Sequence, residues 1–222
     1  MIVRDLVVIS QQLPAAAIAR AAAATGADIE LVAGLEALRT ALARPRARPV
    51  RVLSVLNRII LPPDLLQALA EPACNIHPGP PEFPGVAPEA FALYAGATAF
   101  GVTAHHMTAR VDAGPIVAVE EWDIAPGADA PRLDAEAYQA LLRLFSALAD
   151  RLATGDAPIG ASGHRWGHRR WSGRDVERLL RIDPDIAGDE LDRRIRAFGD
   201  IVPSPLHTVI AGRRFRWEPP AG

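Results

Sequence analysis

Short apolar runs alternate along this chain with longer segments whose apolar residues recur every three or four positions. Leu6-Val7-Val8-Ile9 is a β-branched run that suits a buried strand, and it gives way at Ser10 to Gln11-Gln12-Leu13-Pro14. An Ala-rich helix is predicted over residues 15–24, ending before Gly26. Residues 29–32 read as a second strand, 35–42 as a second helix and 50–56 as a third strand, after an Arg- and Pro-rich loop over 44–49. A Pro-led helix over 64–70 and a strand over 73–76 follow, and the prolines after His77 force a non-helical loop. A helix near 88–96 precedes an alternating segment, 103–107, whose antiparallel partner is predicted at 116–120 with a loop over 112–115 between them. Leu141, Leu144, Phe145, Leu148 and Leu152 fall at helical spacing, so residues 133–152 are predicted to cover the sheet.

Repeated strand and helix units imply a parallel sheet. The expected fold is α/β: a Rossmann-like, mostly parallel sheet over residues 1–157, with a small C-terminal helical and β appendage over 158–222. The boundary is placed in the turn-rich stretch 155–163. In the appendage, helices are predicted over 172–180 and 189–198, with a hairpin over 208–217 turning at Ala211-Gly212. No Gly-x-Gly-x-x-Gly follows the first strand, which argues against a dinucleotide cofactor despite the alternation.

Composition narrows the chemistry. Of 222 residues half are hydrophobic, enough for one good core. The single cysteine, Cys74, rules out an internal disulfide and a cysteine zinc cluster and fits a reducing compartment. All 24 basic residues are arginines, which excludes a Schiff-base lysine and a P-loop lysine. The net charge of −2 is unevenly spread: residues 1–160 carry 12 Arg against 17 acids, and residues 161–222 carry 12 Arg against 9. Such a body offers no general attraction to nucleic acid. No apolar run approaches the roughly 20 residues that span a bilayer, so a soluble, cytoplasmic protein without membrane partners is expected.

Polar residues cluster at the edges of apolar runs between Asn75 and Gly114, where strands end and sites begin. An Asn amide is a fixed donor, an imidazole handles protons near neutrality and a carboxylate can orient that imidazole. Asn75 and His77, two apart in a strand, share one face. Donors aimed at a developing oxyanion beside an acid or base are what acyl transfer to an amine requires. No Ser or Cys nucleophile is evident beside them, so direct attack by an amine fits better than a covalent acyl-enzyme.

Asn75-Ile76-His77-Pro78, a Pro-rich loop ending at Gly85, Gly101-Val102-Thr103-Ala104-His105 and Asp112-Ala113-Gly114-Pro115-Ile116, in that order, resemble the folate-dependent formyltransferase family. The resemblance implies catalytic roles for Asn75, His77 and Asp112, 10-formyltetrahydrofolate as formyl donor and no metal. It implies donor contacts from Arg58, Ile59, Ile60, Leu61, Val111 and Gly114, and acceptor contacts from Pro78, Gly79, Pro80, Phe83 and His105. Many members carry Ser where this chain has Gly79, and Leu-Leu-Pro gives way to Pro80-Pro81-Glu82-Phe83-Pro84, a form closer to the sugar-nucleotide N-formyltransferases. The implied partner is therefore a small-molecule amine, a nucleotide-linked amino sugar. Methionyl-tRNA, an amino acid or a small metabolite are the alternative acceptors, and a formyl-folate hydrolase or binding protein is the alternative class.

Several readings stay open at this level. The loop from Asn57 to Pro63 fits a donor contact or a plain strand-to-helix connection. His105 is expected to support the site and His106 to face away from it, and their divergence argues against a metal pair. The Arg and Trp cluster over 164–171 fits phosphate or base binding, or a packed linker. The tract 193–198 with its following Pro-containing loop resembles the family's connection to its C-terminal portion. A homodimer is implied, with Ile210, Phe215 and Trp217 either at that contact or sealing the core.

Overall fold

A computed structural model describes residues 3–199 and 205–218 of the chain. Its central sheet holds β1 (Asp5–Ile9), β2 (Ile29–Val32), β3 (Val50–Val55), β4 (Cys74–His77), β5 (Ala99–His106) and β6 (Ile116–Asp123) in the order β2-β1-β3-β4-β5-β6. The first four strands are parallel, and β5 and β6 are antiparallel to their neighbours. The α/β, mostly parallel architecture expected from the alternation is therefore present.

Strand periodicity divides the core in two. Leu6, Val8, Leu53, Val55, Cys74, Ile76, Phe100 and Val102 face the layer of α1 (Ala15–Thr25), α4 (Pro88–Tyr94) and α5 (Ala130–Thr154). Val7, Ile9 and Val52 face the other way, toward α2 (Leu35–Ala43) and α3 (Pro63–Ala68). The polar residues Ser54, Asn75, His77, Thr103 and His105 occupy alternate positions to the first set, so they line up on the second face.

Most elements lie within a residue or two of their predicted bounds. Strand β5 begins four residues earlier than predicted, because Gly101 interrupts its side-chain alternation. A Cβ there would lie 2.6 Å from the Glu120 carbonyl oxygen of the paired strand, so the glycine permits the close pairing that its sequence signature hides. Helix α1 stops where predicted, at a left-handed Gly26 with φ of 66°.

The segments after α5 pack onto the same core. Helix α6 (Gly173–Leu180) opens with a capping box between Ser172 and Asp175, and α7 (Gly188–Phe198) sets Phe198 edge-on against Phe91 at 5.6 Å. Strands β7 (His207–Ile210) and β8 (Arg213–Arg216) form the hairpin, turning through Ala211 and Gly212 with φ of 49° and 76°. Ile210 and Phe215 are exposed, whereas Trp217 packs against the core. Pro203, in the loop expected after α7, lies outside the described residues.

At the opposite end of the sheet from the polar stripe, Glu71 ties two buried arginines. Its carboxylate lies 3.5 Å from Arg4 Nε and 2.5 Å from Arg51 Nε, and Arg51 Nη1 also donates to the Leu152 carbonyl at 2.8 Å in the last turn of α5. A cation at a helix C-terminus interacts favourably with the negative end of the helix dipole. The side chain of Arg51 is 1% exposed and that of Glu71 22%. Replacing Glu71 with Ala is expected to lower unfolding free energy by about 3 kcal/mol, the lower end for breaking a buried pair because the carboxylate keeps some solvent. Urea denaturation measures it, and a loss below about 0.5 kcal/mol, the size of an exposed pair, would contradict this account.

Candidate active site

The register of three strands builds the site. Parallel pairing sets Ser54 of β3 opposite Asn75 of β4, and antiparallel pairing sets Asn75 opposite His105 and His77 opposite Thr103 of β5. Ser54 Oγ donates to Asn75 Oδ1 at 2.7 Å, and Asn75 Nδ2 lies 3.1 Å from His105 Nε2. The third member, Asp112, arrives from the loop between β5 and β6. Its backbone has φ of 48°, a left-handed conformation unusual for a residue with a side chain and one that accompanies functional sites.

Asp112 Oδ2 lies 3.5 Å from His77 Nδ1 and accepts from the Gly85 amide at 3.0 Å, while Oδ1 lies 3.5 Å from His105 Nε2. His77, His105 and Asp112 are 3%, 3% and 6% exposed. The three residues expected to be catalytic, Asn75, His77 and Asp112, thus meet in one cluster with His105, Asn75 half-buried and the others buried. His106 faces away, toward Cys74 Sγ at 3.6 Å and the Ile159 carbonyl at 2.6 Å, as a strand residue next to His105 should.

Fixed partners decide where hydrogens sit. A carbonyl can only accept, so the 3.0 Å contact to the Phe83 carbonyl places a hydrogen on His77 Nε2 and leaves the Nδ1 lone pair toward Asp112. Burial pushes the imidazole below its ordinary value of 6.5, against the pull of Asp112 and the Phe83 carbonyl. Burial would raise Asp112, but the His105 and His77 imidazoles, whenever either turns a proton toward the carboxylate, and the Gly85 amide outweigh it and hold the carboxyl below its ordinary value. His105 Nε2 cannot both accept from Asn75 and donate to Asp112. The 3.1 Å contact prevails over the 3.5 Å one, leaving the Gly85 N–H as the fixed donor to the carboxylate.

A cleft of about 290 Å³ opens at the carboxyl ends of β1, β3 and β4, between Gln12, Leu56, Pro78, Asp134, Tyr138 and Gln139. Parallel sheets usually bind ligands at this end. Pro78, which follows His77 in the chain, lines this cleft, and a larger depression of about 400 Å³ lies beside Trp122, Arg132 and Arg143; none of the four clustered residues lines either one.

The other expected contacts divide. On the donor side, Arg58 and Ile60 are exposed, Ile60 by 67%, while Leu61 is 2% exposed and committed to the core beside partly buried Ile59. Val111 is 36% exposed, and the Gly114 carbonyl accepts from Trp166 Nε1 at 2.7 Å. On the acceptor side, Pro78 lines the cleft, whereas Gly79 and Pro80 are buried and Phe83 reaches the site through its carbonyl. At Gly79 a Cβ would lie 2.4 Å from Pro88 Cβ and 2.7 Å from His77 Nε2, so Pro88 and the imidazole fill the space that a serine side chain would need.

Trp166 is the residue the sequence did not single out. Its ring meets His105 and His77 edge-on, with centroids 5.1 and 5.8 Å away, and closes the cluster from outside. The stretch 167–171 holds it there by pairing with the Pro-rich loop: Gly167 N donates to the Pro81 carbonyl at 2.8 Å and Trp171 N to the Pro84 carbonyl at 2.8 Å. Its signal was the Trp and Arg cluster itself, which composition could not tell from a linker. Glu89 was also missed; burial pushes its carboxyl up to about 7.

A family profile described as Formyl transferase matches residues 14–144. The chain belongs to the formyl transferase family. A methionyl-tRNA formyltransferase of Xanthomonas campestris pv. campestris (strain 8004) is 31% identical over 183 residues, 79% of this chain and 57% of that enzyme. The chain therefore spans little more than half the length of that curated relative. A sugar N-formyltransferase from Shewanella sp FDAARGOS_354 superposes with a TM-score of 0.74 at 17% identity, covering 96% of both chains. A formyltransferase from Anoxybacillus kamchatkensis, solved with UDP-4,6-dideoxy-4-formamido-L-AltNAc and tetrahydrofolate, gives 0.63 at 16% identity over 79% of this chain and 89% of its own. At these identities the solved structures establish the formyltransferase fold.

The lowered His77 value makes acid stability a test of its burial. The unfolded chain binds this proton near 6.5 and the folded chain only at lower pH, so stability is full above about 6.5 and falls as the pH drops below it. The Asp112 contribution is lost only below its ordinary 3.8, in a separate window. Thermal unfolding from pH 7 to pH 5 should show a shallower decline in His77→Asn than in the parent. Parallel declines would contradict a neutral, buried His77.

Proposed function

We propose that this protein transfers a formyl group from 10-formyltetrahydrofolate to a primary amine, with a nucleotide-linked amino sugar as acceptor. The observation that carries the reading is the convergence of half-buried Asn75 with buried His77, His105 and Asp112 in one cluster, built from β4, β5 and the loop after β5. Family membership and the tetrahydrofolate held by the Anoxybacillus kamchatkensis enzyme support the donor.

The residues present suit a flat heterocycle with a polar edge. Apolar Ile60 and Val111 are exposed on the two loops flanking the cluster, and in the stretch 58–61 the Ile59 amide is tied down by Asn57 Oδ1 at 2.8 Å. Arg58, Ile59, Ile60, Leu61, Val111 and Gly114 would hold the donor, those with buried side chains through their backbone. When bound, the donor supplies the formyl carbon as an N-acyl electrophile. Asn75 Nδ2 has a second N–H beyond the one aimed at His105, and it would hydrogen-bond the formyl oxygen as negative charge develops there.

His77 Nδ1 would receive the proton that the attacking amine loses. Burial keeps that nitrogen free beforehand; once protonated, the imidazolium donates to the Phe83 carbonyl from Nε2 and to Asp112 from Nδ1, and the ionised carboxylate compensates its charge. Trp166 shields this pair from water, which favours an amine over hydrolysis.

The acceptor class rests on three supports. The Pro-rich loop resembles that of the sugar-nucleotide enzymes, the fold likeness covers 96% of a sugar N-formyltransferase, and the acidic body gives no general attraction to nucleic acid. Methionyl-tRNA remains the second acceptor because the 31% identical relative bears that name.

Tetrahydrofolate release, followed by absorbance with a panel of nucleotide-linked amino sugars, methionyl-tRNA and a no-amine control, tests both parts. Release should depend on one amino sugar. Asn75→Ala, His77→Ala and Asp112→Ala are each expected to lower kcat by about 100-fold or more while leaving thermal unfolding cooperative. Near-parental turnover in all three folded variants would overturn the assignment, and release without any amine would make the protein a hydrolase.

A further inference from the structure

Behind the Asn75 amide runs a chain of hydrogen bonds whose direction is fixed at its far end. The Asn57 amide has two partners of unambiguous character: Nδ2 donates to the Ile9 carbonyl at 3.1 Å, and Oδ1 accepts from the Ile59 amide at 2.8 Å. The same Nδ2 donates to Ser54 Oγ at 2.8 Å. Ser54 has one hydrogen, and since Oγ accepts from Asn57, that hydrogen is directed at Asn75 Oδ1, 2.7 Å away.

The Asn75 carbonyl is thereby held toward Ser54 and its Nδ2 toward His105 Nε2 at 3.1 Å. That nitrogen must accept, so the His105 hydrogen sits on Nδ1, where the 2.9 Å contact to the His106 carbonyl requires a donor. Both ends of the chain, reached independently, demand the same polarity. Leu56, with φ of 47°, makes the turn that brings Asn57 back over Ser54.

We propose that Asn57 and Ser54 are positioning residues for the transfer reaction: they lock the Asn75 amide with its N–H bonds facing the site and, together with the His106 carbonyl at the other ring nitrogen, hold His105 Nε2 as an acceptor. An unlocked amide could turn over at little steric cost, because its oxygen and nitrogen ends are nearly equal in size. Turned over, Asn75 would present a carbonyl to the site and repel a developing oxyanion. Asn57 also anchors the stretch 58–61 through Ile59, so one side chain couples the orientation of Asn75 to the loop that would hold the donor. The kinetic consequence rests on the formyl-transfer reading; the tautomer is a property of the free protein.

Two variants test the lock. Asn57→Asp keeps an acceptor for the Ile59 amide but turns the donor facing Ser54 into an acceptor. The Ser54 hydroxyl then points at the carboxylate, the Asn75 amide turns over, and its carbonyl draws a hydrogen to His105 Nε2 against the hold of the His106 carbonyl on Nδ1. Ser54→Ala removes the link without adding charge and decides the matter should Asn57→Asp fail to fold. NMR of the full chain with nitrogen-labelled histidine, the His105 signals assigned by their loss in His105→Gln, reads the tautomer directly, with kcat and KM measured in parallel.

The parent should show hydrogen on Nδ1, Asn57→Asp hydrogen on Nε2, and Ser54→Ala a mixture. In both variants kcat should fall by about 100-fold, the scale of losing one oxyanion donor, with acceptor KM within about threefold. A parent with hydrogen on Nε2, or parental tautomer and kcat in the folded variants, would overturn the proposal. The expected tautomers in a protein that transfers no formyl group would leave the lock standing and sink the functional reading instead.

Discussion

Ser54, Asn75 and His105 stand side by side because three strands pair in one register, parallel between β3 and β4 and antiparallel between β4 and β5. A slip of one residue at either junction would turn Asn75 and His77 into the helical layer and bring Cys74 and Ile76 to the polar face. The apolar alternation forbids that slip: Cys74, Ile76, Leu53 and Val55 are all nearly inaccessible on the opposite face. The force that fixes the chemistry is thus the burial of residues that take no part in it. Strand β5 is also the first to run antiparallel, so the chain leaves it where the loop carrying Asp112 can fold back over His77 and His105.

Burying two imidazoles and a carboxylate together is costly unless their polar atoms are satisfied. The Phe83 carbonyl, the Gly85 amide and the His106 carbonyl each take one role, and Trp166 completes the enclosure with a hydrogen bond to Gly114. What remains unsatisfied is specific: the Nδ1 lone pair of His77 faces a carboxylate with no hydrogen between them. Burial disfavours the charge that a proton there would bring, and the facing carboxylate compensates it when one arrives. A buried cluster held one proton short suits a reaction in which an amine must lose one.

The fold, and Asn75 and His77 as candidates, were legible because each has a short-range signature, while Asp112 was named from the family resemblance. β-branched runs mark the parallel strands, Gly26 marks the end of α1, and Asn75 and His77 sit two residues apart on an extended chain. Gly101 concealed the start of β5, because a glycine needed for close strand pairing carries no sign of which face is apolar. The role of Trp166 depends on packing between stretches more than 80 residues apart in the chain, along the Pro-rich loop, which no local pattern encodes. Ser54 and Asn57 were hidden for a different reason. Each is an ordinary polar residue near a strand end, and only the directions of their hydrogen bonds distinguish them.

Glycine in place of serine after His77-Pro78 follows from the same crowding. The imidazole ring and Pro88 occupy the volume above Gly79, while Thr103 Oγ1 donates to the Gly79 carbonyl at 2.8 Å and fixes the loop from below. A larger residue would have to displace the ring that carries the proton or the proline that starts α4. Pro88 follows Ala87, which adopts φ of 48°, so the loop and the helix are already committed to a tight entry. The Pro-rich loop is therefore bound up with the His77 imidazole: its prolines define the path, its Phe83 carbonyl sets the His77 tautomer, and its Gly85 amide holds Asp112. On the proposed function, changes in this loop would alter acceptor access and proton handling together, which makes it a segment through which an acceptor preference can evolve only while the His77 geometry is kept.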